Sequence, residues 1–250
     1  MGLYLGLDTS NYTTSAAAFD AGAGVIWQVK RPLPVKEGEL GLRQSDAVFF
    51  HTRQLPEVLE RLREDLGGRP LLLDGVAASD RPRQAEGSYM PCFLAGTSQG
   101  QVLAETLQVP FYAFSHQQGH IAAACWSAGR LELLDEPTLA WHLSGGTTEL
   151  LLVVPEAGNV RAARIGGTTD LAVGQLIDRT GKLLHLDFPA GKALDKLANE
   201  TEEKERFRVR LDGLNFSLSG IENKVQKLVE KRKAPAAVAR YVLLTISSVV

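Results

Sequence analysis

The sequence predicts a duplicated α/β fold whose two halves face each other across one ligand. In the middle of the chain, an apolar run stops at the small residues Ser144–Thr148, and a second apolar run follows at once. The N-terminus repeats this arrangement, because the small polar residues Asp8–Thr14 separate Leu3–Leu7 from Ser15–Phe19. Both copies then reach a glycine-bearing turn. Such residues bury little, but their N–H groups and hydroxyls can point at one phosphate or another anion.

The chain of 250 residues is long enough for one large or two modest domains, and we expect domains at 1–130 and 131–250. Its hydrophobic fraction of 44% and its charged fraction of 22% are typical of a globular protein. The net charge of −2 gives no general attraction to nucleic acid, so such a partner requires a local basic patch or a helper protein. Lys231–Lys233 is one candidate patch, although short basic runs are usually solvated surface.

The cysteines and the hydropathy pattern favour a reduced, cytoplasmic and soluble protein without a membrane partner. Cys92 and Cys125 make neither a disulfide framework nor a Cys-x-x-Cys pair. No export signal is visible, and the most apolar segment, Tyr241–Val250, is far shorter than a membrane span. Because this apolar segment continues to the last residue, we expect a fragment of a longer protein or a chain that has lost its C-terminal strands.

Apolar periodicity and turn residues predict strands and helices along the whole chain. A strand meander at 3–7, 15–19 and 25–29 is followed by an exposed loop at 31–45. Further strands are predicted at 71–78, at 109–114 and on both sides of Ser144–Thr148. Helices are predicted at 46–66 (broken near Pro56), 93–107, 116–126, 171–184, 192–205, from Phe216–Gly220 through Val229, and from Ala234 onward. Ser115 and Asp170 are the expected N-caps of the third and fourth helices.

His116 and His120 are four residues apart, so a helix places both imidazoles on one face, a spacing that suits a shared metal ion. Two surface or capping histidines at a helix start would fit equally well. A metallopeptidase of the His-Glu-x-x-His type is disfavoured, because the position of its base holds Gln117, an amide that cannot accept a proton as a carboxylate does. No third ligand is obvious in the sequence.

Asp170, Gly174 and Asp178 recur every four residues and would share one helix face. Asp178 can accept bonds from two ribose hydroxyls while Gly174 lets the sugar approach. An N-cap, a packing glycine and a solvated carboxylate are the alternative interpretation. Gly191 and Asp195 open the next helix, where backbone donors and one acceptor can bind an adenine or the same ribose.

The first hairpin turn supplies the candidate catalytic residues. Asp8, beside the hydroxyl-rich turn, can hold a metal-bound water or a transferred group, while a simple turn-forming aspartate is the alternative. We take Asp8 and Ser10 as candidate catalytic residues and Thr9 as a candidate ligand-binding residue.

Five segments together resemble the glycoprotease-like family, once called O-sialoglycoprotein endopeptidases (peptidase M22-like) and now regarded as tRNA threonylcarbamoyladenosine transferases. In chain order, the segments are Gly6–Ser10, Ser115–His120, Leu143–Thr147, Asp170–Gly191 and Phe216–Gly220. The resemblance implies the duplicated actin/Hsp70/sugar-kinase-like (ASKHA) fold, with an incomplete C-terminal subdomain. It also implies a transferase acting on tRNA, one divalent metal ion (iron or zinc, with magnesium as a third candidate), and ATP, ADP or threonylcarbamoyl-AMP as ligand.

The resemblance also assigns roles to individual residues. His116 and His120 would be two of three ligands of the metal ion, and Asp178, Gly191 and Asp195 would hold the adenosine. The residues expected around the phosphates or the carbamoyl group are Leu143, Ser144, Gly145, Gly146 and Thr147. The implied partners are an adenine nucleotide, tRNA through partner proteins, and a second subunit in a homodimer or in a heterodimer with a related chain.

Several departures from the family's pattern indicate a divergent paralogue. Tyr12 and Thr13 replace an acidic pair in the first loop, Thr147 replaces the usual histidine, and Pro189–Lys192 replaces Pro-Gly-Gly-Pro. The family's third metal ligand, an aspartate near the C-terminus, lies in a segment that this chain lacks. Three hypotheses therefore stay open: a threonylcarbamoyl transferase, a nucleotide-binding module or partner subunit without the chemistry, and a small-molecule kinase of the same fold. In the kinase, Asp8 could serve, but the histidine pair would be unexplained.

Overall fold

The computed structural model of the protein describes residues 2–10, 12–34, 42–68 and 70–250. The chain divides into two compact units, Met1–Glu132 and Leu133–Val250, and each unit has its own five-stranded sheet. The loop predicted at 31–45 falls partly outside the described residues, and its first two positions belong to a strand. In the described part of the chain, no helix combines the length and the apolar character that crossing a membrane requires.

The first unit is built on a sheet with the predicted antiparallel meander at one side. Its strands are β1 (Leu3–Asp8), β2 (Thr13–Asp20), β3 (Val25–Pro32), β4 (Gly75–Arg81) and β5 (Phe111–Ser115). They lie in the order β3-β2-β1-β4-β5, and β4 and β5 run parallel to β1. Alternation along β1 buries Leu5 and Leu7 in the core, so Gly6 and Asp8 lie on the opposite face of the sheet.

Among its described residues, the first unit also has the helices α1 (Gln44–Asp65), α2 (Phe93–Leu107) and α3 (His116–Ser127). Leu55, Val58 and Leu62 on the inward side of α1 pack in the same core as Leu5 and Leu7. The predicted break near Pro56 is wrong, because α1 continues through this residue. Pro56 and Thr52 are both exposed, so the carbonyl of Thr52, which loses its helical partner at the proline, can reach water.

The second unit also opens on an antiparallel meander, of which the sequence predicts the first two strands. Its strands are β6 (Thr138–Leu143), β7 (Thr148–Glu156), β8 (Asn159–Thr168), β9 (Leu211–Asp212) and β10 (Asn215–Phe216). They lie in the order β6-β7-β8-β10-β9, with β10 parallel to β8. The tight turn between β6 and β7 holds residues 144–147, so the second small-residue run connects two strands, as the first one does.

The helices of the second unit are α4 (Val173–Leu183), α5 (Gly191–Ala198), α6 (Ser219–Glu230) and α7 (Pro235–Ser247). Leu176 of α4, Ile221 of α6 and Val242 of α7 meet in one apolar cluster. Two predicted boundaries are wrong here. Asp170 is not an N-cap, because α4 begins only at Val173, and α5 ends well before residue 205. Exposed and half-buried residues alternate between 206 and 210, a pattern that belongs to an extended segment rather than a helix.

Candidate metal and nucleotide site

The sheet topology of the first unit brings Asp8 and His116 together, although 108 positions separate them in sequence. β1 ends at Asp8 and β5 ends at Ser115, and both strands run parallel to β4, so their carboxyl ends share one edge. Ser115 then caps α3 as predicted: its hydroxyl accepts from the N–H of Gln118, whose side-chain oxygen accepts from the N–H of Ser115 at 2.7 Å. This capping box fixes the first turn of the helix that carries both histidines.

Asp8, His116 and His120 form a continuous chain of hydrogen bonds. The Nδ1 atom of His116 lies 2.7 Å from Oδ2 of Asp8, and its Nε2 atom lies 2.8 Å from Nε2 of His120. The other carboxylate oxygen of Asp8 accepts from the N–H of Ser10 at 2.8 Å. Burial raises the pKa of Asp8, but the hydrogen bond and electrostatic attraction of His116 and the bonds from Ser10 outweigh it and lower the pKa to about 2. Asp8 is therefore a carboxylate that accepts from His116.

The residues of this hydrogen-bonded row fit two ligand positions of a metal site. Metal-ligating histidines usually donate their second ring N–H to a carboxylate, and His116 does so to Asp8. Two nitrogens bound to one tetrahedral zinc ion lie roughly 3.3 Å apart, so a small opening of the His116–His120 pair would admit an ion. Asp8 stands behind His116 and cannot be a third ligand of the same ion. Accordingly, no cluster of three or more metal-ligating side chains occurs among residues 2–10, 12–34, 42–68 and 70–250.

A cavity of about 610 Å³ in the first unit borders this chain of hydrogen bonds. Asp8, His116 and His120 line it together with small or polar residues and with the larger side chains of Leu7, Tyr12 and Phe114. The small or polar residues include Gly6, Ser10, Ala17, Gln28, Lys30 and Gly119. Gln28 and Lys30 were not predicted, since a polar residue on a meander strand carries no signal of what it faces. Gly6, inside a strand, and Gly119, between the two histidines, were visible hints of a close approach.

The other two residues predicted in the first turn have different surroundings. The hydroxyl of Thr9, which is fully buried, donates to the carbonyl of Cys92 at 2.9 Å and accepts from the N–H of Gly96 at 3.1 Å. Thr9 therefore ties the turn to the start of α2, and its hydroxyl is already used inside the unit. Ser10 is half-buried and lines the cavity.

In the second unit, the loop 144–147 packs tightly against the first turn of α4. A Cβ atom at Gly174 would lie 2.6 Å from Cα of Gly145, so the missing side chain admits the loop backbone. The hydroxyl of Thr148, which is buried, accepts from the N–H of Val173 at 2.8 Å and fixes the same contact. Leu143, Ser144, Gly145 and Gly146 are exposed, and Thr147 is half-buried. The loop therefore combines a fixed position with an accessible surface, and a contact of Gly174 with a ribose stays a prediction.

The remaining predicted residues fall into two groups in the second unit. Asp178 accepts from the N–H of Ala190 at 2.9 Å, which holds it beside the start of α5, where Gly191 and Asp195 are exposed. Asp170 instead accepts from the N–H groups of Leu171 at 2.6 Å and of Leu218 at 2.8 Å, and from the hydroxyl of Ser217 at 2.5 Å. The structure thus groups Asp178, Gly191 and Asp195, and it makes Asp170 the junction of two loops.

Comparisons with known proteins agree with this fold. The HypF protein of T. kodakarensis superposes on 98% of this chain and 39% of its own length with a TM-score of 0.55 at 12% identity, which concerns the fold alone. A tRNA N6-adenosine threonylcarbamoyltransferase of Thermus thermophilus is 37% identical over 239 residues, 94% of this chain and 70% of the relative. Its counterpart from Brucella suis is 33% identical over 232 residues, 89% of this chain and 61% of the relative.

The protein is an α/β protein of the duplicated actin/Hsp70/sugar-kinase class, as the sequence predicts. Residues 42–246 match the family described as TsaD, tRNA N6-adenosine threonylcarbamoyltransferase. The chain therefore belongs to this family, which confirms the resemblance drawn from the motifs.

Proposed function

We propose that this protein transfers a threonylcarbamoyl group to the N6 atom of a tRNA adenosine, with threonylcarbamoyl-AMP as the donor. The hydrogen-bonded row Asp8–His116–His120 beside a cavity is the observation that carries the proposal, because its two imidazoles could bind one metal ion in a member of this family. In the reaction, the N6 amine forms a bond to the carbamoyl carbon, the bond from that carbon to the phosphate oxygen breaks, AMP leaves, and the amine loses a proton.

His116 and His120 would hold one divalent ion, and imidazole ligands suit iron or zinc better than magnesium. A bound ion would supply Lewis acidity that polarises the carbamoyl carbonyl. The residues of the chain position this chemistry. Asp8 accepts a hydrogen bond from Nδ1 of His116, which leaves Nε2 of His116 as the nitrogen that could bind the ion. The N–H of Ser10 donates to Asp8 and fixes its position. Asp8 is therefore proposed as a positioning residue, while Ser10, which lines the cavity, stays a candidate for direct contact with the substrate.

The nucleotide part of the donor is assigned to the second unit. The residues Leu143–Thr147 would surround its phosphates, since small exposed residues in a fixed loop leave backbone N–H groups accessible to an anion. Asp178, Gly191 and Asp195 would hold the adenosine. The bond between Asp178 and Ala190 supports this assignment, because it brings these three residues to the start of one helix.

A nucleotide-binding partner subunit without transfer activity is the second candidate, and the first loop favours it. Tyr12 and Thr13 line the cavity where the resemblance leads us to expect an acidic pair, and Thr147 stands in place of a histidine. A small-molecule kinase is less well supported, because Asp8, the candidate base for that reaction, is bonded to His116.

Metal analysis and a transfer assay on the full-length protein decide between these functions. We expect one metal ion per chain, transfer of labelled threonylcarbamoyl to tRNA, and loss of both in His116→Ala. His185→Asn is the matched control, because it removes an exposed imidazole from the other unit at a positive φ that asparagine tolerates. A protein without metal, in which His116→Ala changes nothing, would exclude the transferase. Calorimetry with ATP, ADP and AMP tests the nucleotide-binding partner subunit, and the absence of binding heat with all three would exclude this second function.

A further inference from the structure

An extended segment of the second unit presents a row of arginines to solvent. Arg206, Arg208 and Arg210 are exposed, whereas the residues between them, Phe207 and Val209, are half-buried and pack against the apolar cluster of the unit. Side chains of an extended segment alternate between two sides, so the three guanidinium groups share the outer side. We call these three residues the arginine strip.

The acidic residues that precede the arginine strip are already paired with other cations. Lys233 contacts the carboxylates of Glu203 at 2.9 Å and Glu205 at 2.5 Å, and Arg240 lies 3.5 Å from Glu202. These pairs remove negative charge from the start of the segment. Within the part of the chain that the structure describes, no carboxylate is paired with a guanidinium group of the strip.

Two further observations define the charge of this surface. Nζ of Lys224 lies 5.2 Å from the centre of the Phe207 ring, so this cation is close to the segment but on the side that alternates with the arginines. Asp212 is the next carboxylate in sequence after the strip. The patch predicted at Lys231–Lys233 is weaker than the sequence indicates, because Lys233 is engaged by Glu203 and Glu205. The strip is therefore the local basic surface that a chain of net charge −2 needs for a polyanion.

We propose that the arginine strip binds the phosphate backbone of the RNA substrate, an inference that rests on the proposed function. Alternate side chains of an extended segment are about 6.5 Å apart, a separation comparable to that of neighbouring phosphates along a nucleic-acid strand. Guanidinium groups match phosphate oxygens with two parallel hydrogen bonds, which a lysine cannot provide. A straight row of three such groups fits a linear polyanion better than it fits a single small anion.

The salt dependence of tRNA binding tests the strip in the full-length protein. Each neutralised phosphate contact contributes about one to the slope of log K against log salt. We expect Arg206→Ala, Arg208→Ala and Arg210→Ala each to make the slope shallower by about one, and the triple variant by about three. The triple Arg→Lys variant keeps the charge and should retain the slope but bind more weakly. Arg161→Ala is the matched control: it removes one exposed arginine from β8, where Glu156 pairs with it at 3.0 Å.

The proposal would be overturned by wild-type protein that binds tRNA without salt dependence or not at all. It would equally be overturned by a triple variant with the wild-type slope, or by a slope change equally large in Arg161→Ala. A triple variant that loses binding to anionic phospholipid vesicles but not to tRNA would also overturn it. Metal content and ATP binding are measured on the same preparations, because they report on the proposed function independently of the arginine strip. A triple variant that still binds metal and nucleotide but no longer binds tRNA supports the proposal. A melting temperature equal to that of the wild type shows that this variant is folded.

Discussion

A Cβ atom at Gly174 would lie 2.6 Å from the carbonyl oxygen of Ser144, so α4 and the loop between β6 and β7 touch through their backbones. Gly174→Ala must push the loop away, and overpacking of this kind costs about 1–3 kcal/mol. We expect a lower melting temperature and weaker nucleotide binding by calorimetry. Gly220→Ala is the control, because a Cβ there meets open space in α6. Unchanged nucleotide affinity in Gly174→Ala would show that the loop position does not matter for the ligand.

Asp8→Asn keeps the shape of the side chain but removes the charge that His116 faces. Loss of a carboxylate partner of a metal-ligating histidine typically lowers metal affinity about 10–100-fold. A competition titration against a chelator should show this loss at unchanged stoichiometry. The matched control is Asp20→Asn, which alters an aspartate of the same unit that accepts from Gly22 and Ala23 in a turn. Equal metal affinities of the two variants would contradict a positioning role of Asp8.

Asp170 should make the protein sensitive to acid. Burial raises its pKa, but the hydroxyls of Ser217 and Ser219 and the N–H groups of Leu218 and Leu171 lower it well below the ordinary range. The unfolded carboxyl group takes up its proton near pH 3.9, whereas the folded one needs a lower pH. The contribution of Asp170 is therefore complete above about pH 4 and is lost as the pH falls towards the folded pKa.

Urea titrations between pH 7 and pH 3 measure this effect. The wild-type free energy of unfolding should fall more steeply below pH 4 than that of Asp170→Asn, which has no proton to take up. Ser217→Ala, which removes one donor, should lie between them. Parallel curves for wild type and Asp170→Asn would rule out the linkage.

Thr9→Val tests whether the first turn is anchored through the threonine hydroxyl. The variant keeps the shape but leaves the N–H of Gly96 without its acceptor in a buried place, which costs about 1–3 kcal/mol. Thr106→Val is the control, since its exposed hydroxyl bonds only within α2, and its effect should stay within about 0.5 kcal/mol. Chemical denaturation compares the two. A loss of nucleotide or metal binding in Thr9→Val at wild-type stability would instead indicate direct contact with a ligand.

Local patterns predicted the meander of the first unit and the helix that carries His116 and His120. Strand alternation and the Ser115 cap depend on neighbours in sequence, so periodicity reveals them. The sequence could not show that Asp8 bonds to His116, because only the parallel arrangement of β1, β4 and β5 brings them together.

The wrong predictions for Asp170 and for the end of α5 share one cause, which is competition from distant residues. Asp170 has the composition of an N-cap, but Ser217 and Leu218 occupy its carboxylate. The segment after Ala198 has charged residues that suit a helix, but Phe207 and Val209 reach the core only from an extended backbone. The relation between the two hairpin turns across one ligand stays a prediction.

The two glutamines between His116 and His120 limit the chemistry of this motif. Gln118 closes the capping box, and Gln117 is only 3% exposed, with its N–H bonded to the carbonyl of Pro82 at 3.0 Å. A glutamate in place of Gln117 would therefore be enclosed by protein instead of facing a water molecule at the histidines. The likeness to a zinc peptidase is one of spacing alone, and a single substitution would not turn this protein into a protease.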